Sequence, residues 1–110
     1  MGYHLFLDDI RMPGDVTWVE LPSARYTIVR SYDEFRACIN EFGLPTHISF
    51  DNDLADGEKE GIDCAKWLVD QIMDGRITGE FTYTVHSKNP VATEWIHGFL
   101  NNFLTRWEPQ

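Results

Sequence analysis

Positive charge is scarce in this chain. Nine lysines and arginines face 18 aspartates and glutamates, a formal net charge of −9 over 110 residues. A surface of that sign repels nucleic acid on average, which excludes a protein that coats DNA or RNA through bulk charge. It leaves room for a bound cation, a basic protein partner or a mimic of nucleic acid, beside plain solubility. Cysteine is also rare. Cys38 and Cys64 lie far apart without C-x-x-C spacing, and each falls on the apolar face of a predicted helix. They read as two buried thiols rather than as a disulfide or a metal pair. No apolar run reaches the roughly 20 residues of a membrane span. No basic stretch followed by an apolar one opens the chain as a secretory signal would, so the expected location is the cytoplasm. The spacings G-x-x-x-x-G-K-S/T and G-x-S-x-G are missing, as is any zinc-ligand pattern. A P-loop, a nucleophile elbow and a zinc finger therefore all lack their signatures. Repeats and low-complexity linkers are missing too, and the length suits a single domain, 1–110.

What is present alternates between short apolar runs and amphipathic stretches. "YHLFL" (3–7) reads as a buried strand. Residues 10–24 have no helical period, and Pro13-Gly14 and Pro22-Ser23 signal turns. Between them "VTWVEL" alternates weakly, as an edge strand or simply loop. "RYTIVR" (25–30) is a second strand. "SYDE" from Ser31 is a capping box, opening a helix with Phe35, Cys38, Ile39 and Phe42 on one stripe and Gly43 as its stop. "THISF" (46–50) is the third strand, and an acidic loop fills 55–61. The next helix carries Ile62, Ala65, Val69, Ile72 and Met73, closed by Gly75. "FTYTV" (81–85) is the fourth strand, and Pro90 starts a last helix. Val91, Trp95, Phe99, Phe103 and Trp107 form its predicted core stripe, with Ile96, Leu100 and Leu104 beside it. The order β, β, α, β, α, β, α predicts an α/β fold: a small flavodoxin-like, doubly wound parallel sheet of about four strands with three helices. A loop replaces the first helix, leaving one sheet face thinly covered unless the Trp18 region fills it.

In such a sheet, ligands bind beyond the carboxyl ends of the strands, where the strand order reverses. Chemistry-bearing residues crowd that rim. The first strand ends in Asp8 and Asp9, the second near Arg30, the third in Asp51 with Asp53 two residues on, and the fourth in His86, Ser87, Lys88 and Asn89. Four carboxylates there cannot all stay ionised without a counter-charge. Protonation or a hard cation resolves the conflict, and Mg²⁺ takes one or two carboxylates together with phosphate oxygens. Asp8, Asp9, Asp51 and Asp53 are the candidate metal ligands. Side-chain alternation sends Asp8 and Asp9 in different directions, so one of them acts through water or holds an arginine. The plainer reading of each acidic pair is a turn after a strand. It fits Asp53 better than Asp51. His86 is a candidate general acid or base, against the commoner case of a satisfied core histidine. Arg11, Arg30 and Lys88 are candidate phosphate contacts, with Ser87 and Asn89 as hydrogen-bond donors. "DNDLADGEKEG" is not a calcium loop, because its fifth and sixth positions hold Ala55 and Asp56.

An acidic pair after strand one, Asp after strand three and a hydroxyl after strand four resemble the receiver domains of two-component response regulators. A receiver needs a fifth strand ending in lysine, and here Lys88 only follows the serine position. A nearer resemblance is to the cyclic-phosphate-processing receiver-like domains, carried by "LDDIRMP" (7–13), "ISFDNDL" (48–54), "GIDCAKWL" (61–68) and "HSKNPVA" (86–92). Those four ordered motifs span most of the chain. The resemblance implies metal-dependent action on cyclic phosphates of nucleotides or RNA ends, with Mg²⁺ or Mn²⁺ as cofactor. Asn52 stands where the family has histidine, and it cannot shuttle a proton at neutral pH. Ala92-Thr93 replaces a favoured Gly-Arg and removes a phosphate contact. Binding survives such changes better than turnover does.

The leading expectation is therefore a metal-dependent phosphoesterase with Asp51 and His86 in the chemistry. Three rivals stand beside it: a non-catalytic module holding a cation and a phosphate ligand or protein partner, a phosphoacceptor receiver modified on Asp51, and an acidic inhibitor. A stand-alone chain of this size would suit a phage or mobile element.

Overall fold

The computed structural model describes residues 2–54 and 59–107. Four strands form one parallel sheet: β1 (His4–Leu7), β2 (Tyr26–Val29), β3 (His47–Phe50) and β4 (Thr82–Val85), in the spatial order β2-β1-β3-β4. Three helices alternate with them, α1 (Tyr32–Phe42), α2 (Gly61–Met73) and α3 (Pro90–Arg106). The chain steps outward from β1 to β2, then crosses back to β3 on the other side of β1. The order reverses between β1 and β3, as expected for this topology. "VTWVEL" is irregular, and the first connection contains only a 3₁₀ turn at Pro13–Asp15.

Alternation along the strands sorts the molecule into two unlike faces. Leu5, Leu7, Val29, Ile48, Phe50 and Val85 join one hydrophobic cluster with Phe35 and Ile39 of α1, Leu68 and Ile72 of α2, and Ile96 and Leu100 of α3. All three helices thus cover the same face. The other face carries His4, Phe6, His47, Ser49, Thr82 and Thr84, in register across β1, β3 and β4. Among the described residues, the 8–25 connection reaches this side, through Trp18 at the end of β4. Phe6 is fully buried there, outside the main cluster.

The helix ends follow the residues that mark them. The Ser31 hydroxyl accepts from Glu34 N at 3.1 Å, and Gly43 closes α1 at φ 86°. The Glu34 carboxylate reaches one residue beyond the expected capping box, to Arg30 N at 2.9 Å. Asn89 caps α3 by accepting from Ala92 N at 3.1 Å. The predicted stripe of α3 is corrected. Ala92, Ile96, Leu100 and Phe103 are its buried residues, whereas Val91 is 78% exposed and Trp95 lies at the surface, stacked on Phe99. A strict four-residue spacing drifts around a 3.6-residue helix, so Val91 and Trp95 cannot face the sheet together with Phe103. Phe42 and Met73, read as stripe residues of α1 and α2, are also exposed. Cys38 and Cys64 are buried free thiols. The acidic loop read at 55–61 lies partly outside the described residues. Among those described, no helix is long and apolar enough to cross a membrane.

Candidate functional site

The side chains of Asp8, Asp51 and His86 share the parity of Phe6, Ser49 and Thr84. They therefore emerge on the helix-free face, one step past the ends of β1, β3 and β4. Each offers a ligand atom within 4.8 Å of the others, and all three residues are buried. Backbone bonds hold the strand ends together beyond the sheet: Asp51 N donates to Leu7 O, and His86 N to Phe50 O, each at 2.9 Å.

Asp8 is the most heavily held. Its Oδ1 accepts from Ile10 N at 3.0 Å and Arg11 N at 2.9 Å, an Asx-type turn that shapes the start of the loop. Its Oδ2 accepts from His86 Nε2 at 3.0 Å, and Arg11 Nη1 lies 3.5 Å away. Burial pushes the Asp8 carboxyl up. The hydrogen bonds from Arg11, Ile10 and His86 outweigh it and leave the group below the ordinary carboxylate range. With Asp8 ionised, His86 Nε2 carries the proton it donates. Nδ1 then accepts from the Ser49 hydroxyl at 2.7 Å. The imidazole stacks flat on Phe6, with centroids 4.5 Å apart at 3°. Burial lowers the His86 pKa against the opposing pull of Asp8, so the ring is neutral at pH 7.

Asp51 is held less. Its closest cation is Arg11, Nη1 to Oδ2 at 3.9 Å. Burial, and then the nearby charge of Asp8, raise its carboxyl to about 6. Two carboxylates whose affinities for protons are pushed apart are the expected sign of a like-charge pair that wants a counter-cation.

The remaining candidates divide by what they touch. Asp9 and Asp53 lie outside the three-residue cluster. Asp53 is exposed and accepts from Asn52 Nδ2 at 3.2 Å. Arg30 turns to backbone: Nη1 donates to Asp8 O at 2.9 Å and Arg11 O at 2.6 Å, which fixes the loop over the site. Lys88 is exposed, with Nζ 4.2 Å from the centroid of the Trp18 ring. The Ser87 hydroxyl accepts from Asn89 N, and Asn89 Oδ1 caps α3, which leaves its Nδ2 outside the cap. His86 has neither ring nitrogen free, and its side chain is wholly buried. That geometry suits a group that orients Asp8, and leaves it no free nitrogen for direct proton donation to a ligand.

The two departures from the resembled motifs have structural work. Asn52 Oδ1 accepts from Ile62 N at 3.1 Å, and its Nδ2 donates to Glu60 Oε2 at 3.1 Å, tying the strand end to the start of α2. Ala92 is buried, and the Thr93 hydroxyl donates to Ser87 O at 3.1 Å. Ser49, Trp18 and Gly61 join the site beyond the residues expected from the sequence. Ser49 was findable, since the "ISFD" alternation puts it on the face of Asp51. Trp18 closes the rim by donating Nε1–H to His86 O at 2.8 Å, a contact 68 residues distant that no local pattern encodes.

A family model for the cyclic-phosphate processing receiver domain matches residues 3–102. The chain belongs to that family. Nearly the whole receiver-like domain is covered, including every rim residue described above. Neither the curated proteins nor the solved structures compared with it gave a match.

Proposed function

We propose that this receiver-like domain is a metal-dependent phosphoesterase acting on cyclic phosphates of nucleotides or RNA ends. The observation that carries the reading is the buried pair Asp8 and Asp51, held at one rim with Arg11 between them and Lys88 beside it. Family membership supports the substrate class.

The donor set fits a hard divalent cation such as Mg²⁺ or Mn²⁺. Two carboxylates meet at the strand ends, one of them with its proton affinity raised by the other's charge. Asp8 and Asp51 would hold the ion, with Asp9 and Asp53 near enough in sequence to act through water. When bound, such an ion polarises phosphoryl oxygens and lowers the pKa of a water molecule. The protein's own residues set the rest. His86 and Ser49 fix the orientation of Asp8 by one continuous chain of hydrogen bonds, so His86 is a positioning residue here rather than the acid that protonates a leaving oxygen. Arg30 fixes the backbone of residues 8–11. Arg11 and Lys88 offset phosphate charge, and Ser87 and Asn89 shape the start of α3 beneath them.

Hydrolysis of a panel of 2′,3′- and 3′,5′-cyclic nucleotides with Mg²⁺ or Mn²⁺ tests this. Turnover that Asp51→Asn abolishes is the expected result. Turnover indifferent to Asp51→Asn, or none on any member of the panel, would contradict it.

The engaged state of His86 and the structural use of Asn52 and Thr93 favour a second reading, a module of the same family that binds a cation and a cyclic phosphate without turnover. Calorimetry would then show binding, with the ligand recovered intact.

A further inference from the structure

Arg11 is loosely tied and lies between the two carboxylates of the site. Its Nη1 lies 3.5 Å from Asp8 Oδ2 and 3.9 Å from Asp51 Oδ2. Both distances exceed the 2.7–2.9 Å typical of a charge-assisted hydrogen bond. The guanidinium neutralises the two carboxylates without being locked to either. Its backbone is locked. Arg11 N donates to Asp8 Oδ1, and Arg11 O accepts from Arg30. Side-chain torsions are thus the freedom left to this residue. Its other neighbour is the Trp18 ring, whose centroid lies 5.1 Å from the guanidinium carbon. The bond from Trp18 Nε1 to His86 O holds that ring in place. Lys88 already rests on the same ring.

The geometry points to Arg11 as a resident counter-cation that a divalent ion displaces from the two carboxylates while Trp18 keeps hold of its guanidinium, so that cation entry and presentation of a guanidinium to phosphate are one event. This rests on the reading that Asp8 and Asp51 hold a divalent cation. A guanidinium and a doubly charged ion cannot share the space between the same two carboxylates without strong repulsion. Release leaves the fork of Arg11 on the same Trp18 ring that Lys88 touches, two cations held at one aromatic side chain, which suits a phosphodiester or phosphate monoester. Linkage fixes the signs. If the ion expels Arg11, Arg11 must weaken ion binding, and the ion must strengthen the hold of Arg11 on phosphate.

The test is a calorimetric titration of wild type, Arg11→Gln and Arg11→Lys with MgCl₂ at constant ionic strength. It is repeated with inorganic phosphate in the presence and absence of Mg²⁺. Arg11→Gln should bind Mg²⁺ at least about fivefold more tightly than wild type, the lower end of ordinary coupling between sites. Arg11→Lys, which keeps the charge, should stay close to wild type. Mg²⁺ should strengthen phosphate binding by a larger factor in wild type than in Arg11→Gln. Wild type should also show a Mg²⁺-dependent change in tryptophan fluorescence that Trp18→Phe removes. Mg²⁺ affinity unchanged or weaker in Arg11→Gln, with wild type binding the ion, overturns the displacement and leaves the cation site standing. Failure of both wild type and Arg11→Gln to bind Mg²⁺ overturns the cation site, and the displacement with it.

Discussion

Asp51 bears the electrostatic strain of the site. Its carboxyl is raised to about 6 from an ordinary 3.8, first by burial and then by the charge of Asp8. A carboxyl raised in the folded state favours folding below pH 3.8, where it is protonated in both states and unstrained. That contribution is lost as pH rises through 6 and the buried group ionises. The shift corresponds to on the order of 2–3 kcal/mol. Asp51→Asn should therefore be more stable than wild type by roughly that amount at pH 7 without divalent ions, with the gap closing toward pH 4. Urea unfolding of the pair across that range checks it. His86 and His47, both lowered by burial, lose stability in the opposite direction, as pH falls below 6.5. His47 cancels in the difference between the two chains, whereas His86, in the same cluster as Asp51, enters it only below pH 6.5. At this scale the sequence is a good guide to charge and a poor one to closure. Adjacent aspartates at a strand end announce themselves, and alternation separates Asp8 from Asp9. Nothing local tells that His86 spends both nitrogens on Ser49 and Asp8, because those contacts join β1, β3 and β4 across 37 and 78 residues.

At the scale of elements, the start of α2 matters most to the site. Gly61 N donates to Asn52 O at 2.9 Å, and Asn52 returns a side-chain acceptor to Ile62 N. The helix enters so close to the end of β3 that a Cβ on Gly61 would stand 1.9 Å from Asp51 O and 2.9 Å from Asn52 Cα. Those are backbone atoms and cannot step aside. Gly61→Ala should cost about 2 kcal/mol or more by denaturant unfolding, within or above the usual range for overpacking. It should also weaken cation binding by displacing Asp51. A stability equal to wild type would show that the helix entry is loose. The "GIDCAKWL" motif places this glycine, but its reason is visible only once the helix is packed on the strand end. The α3 stripe shows the converse failure. Val91 and Trp95 fit an apolar run, yet the face presented to the sheet is decided by the cap at Asn89 and by Ile96 and Leu100.

For the whole molecule, strand order and helix count follow from the alternation of patterns, because short βαβ units permit few right-handed arrangements. The one-sided placement of the helices follows from the same rule. Both crossovers after β2 step in one direction, and the step that reverses, from β1 to β2, has only a loop. That leaves the second face for the site, under Trp18 and the 8–25 connection. A net charge of −9 adds a field that draws cations and repels phosphates. An acidic chain of this kind needs a local device to accept a phosphate at all, and the buried carboxylates with Arg11 and Lys88 at their rim would supply it. The most direct test is a Mn²⁺ titration followed by electron paramagnetic resonance of wild type, Asp8→Asn and Asp51→Asn. One ion per chain, lost in both variants while their folds persist, is the predicted result. No bound ion in wild type, or binding undiminished in Asp51→Asn, would contradict the cation site on which the proposed function stands.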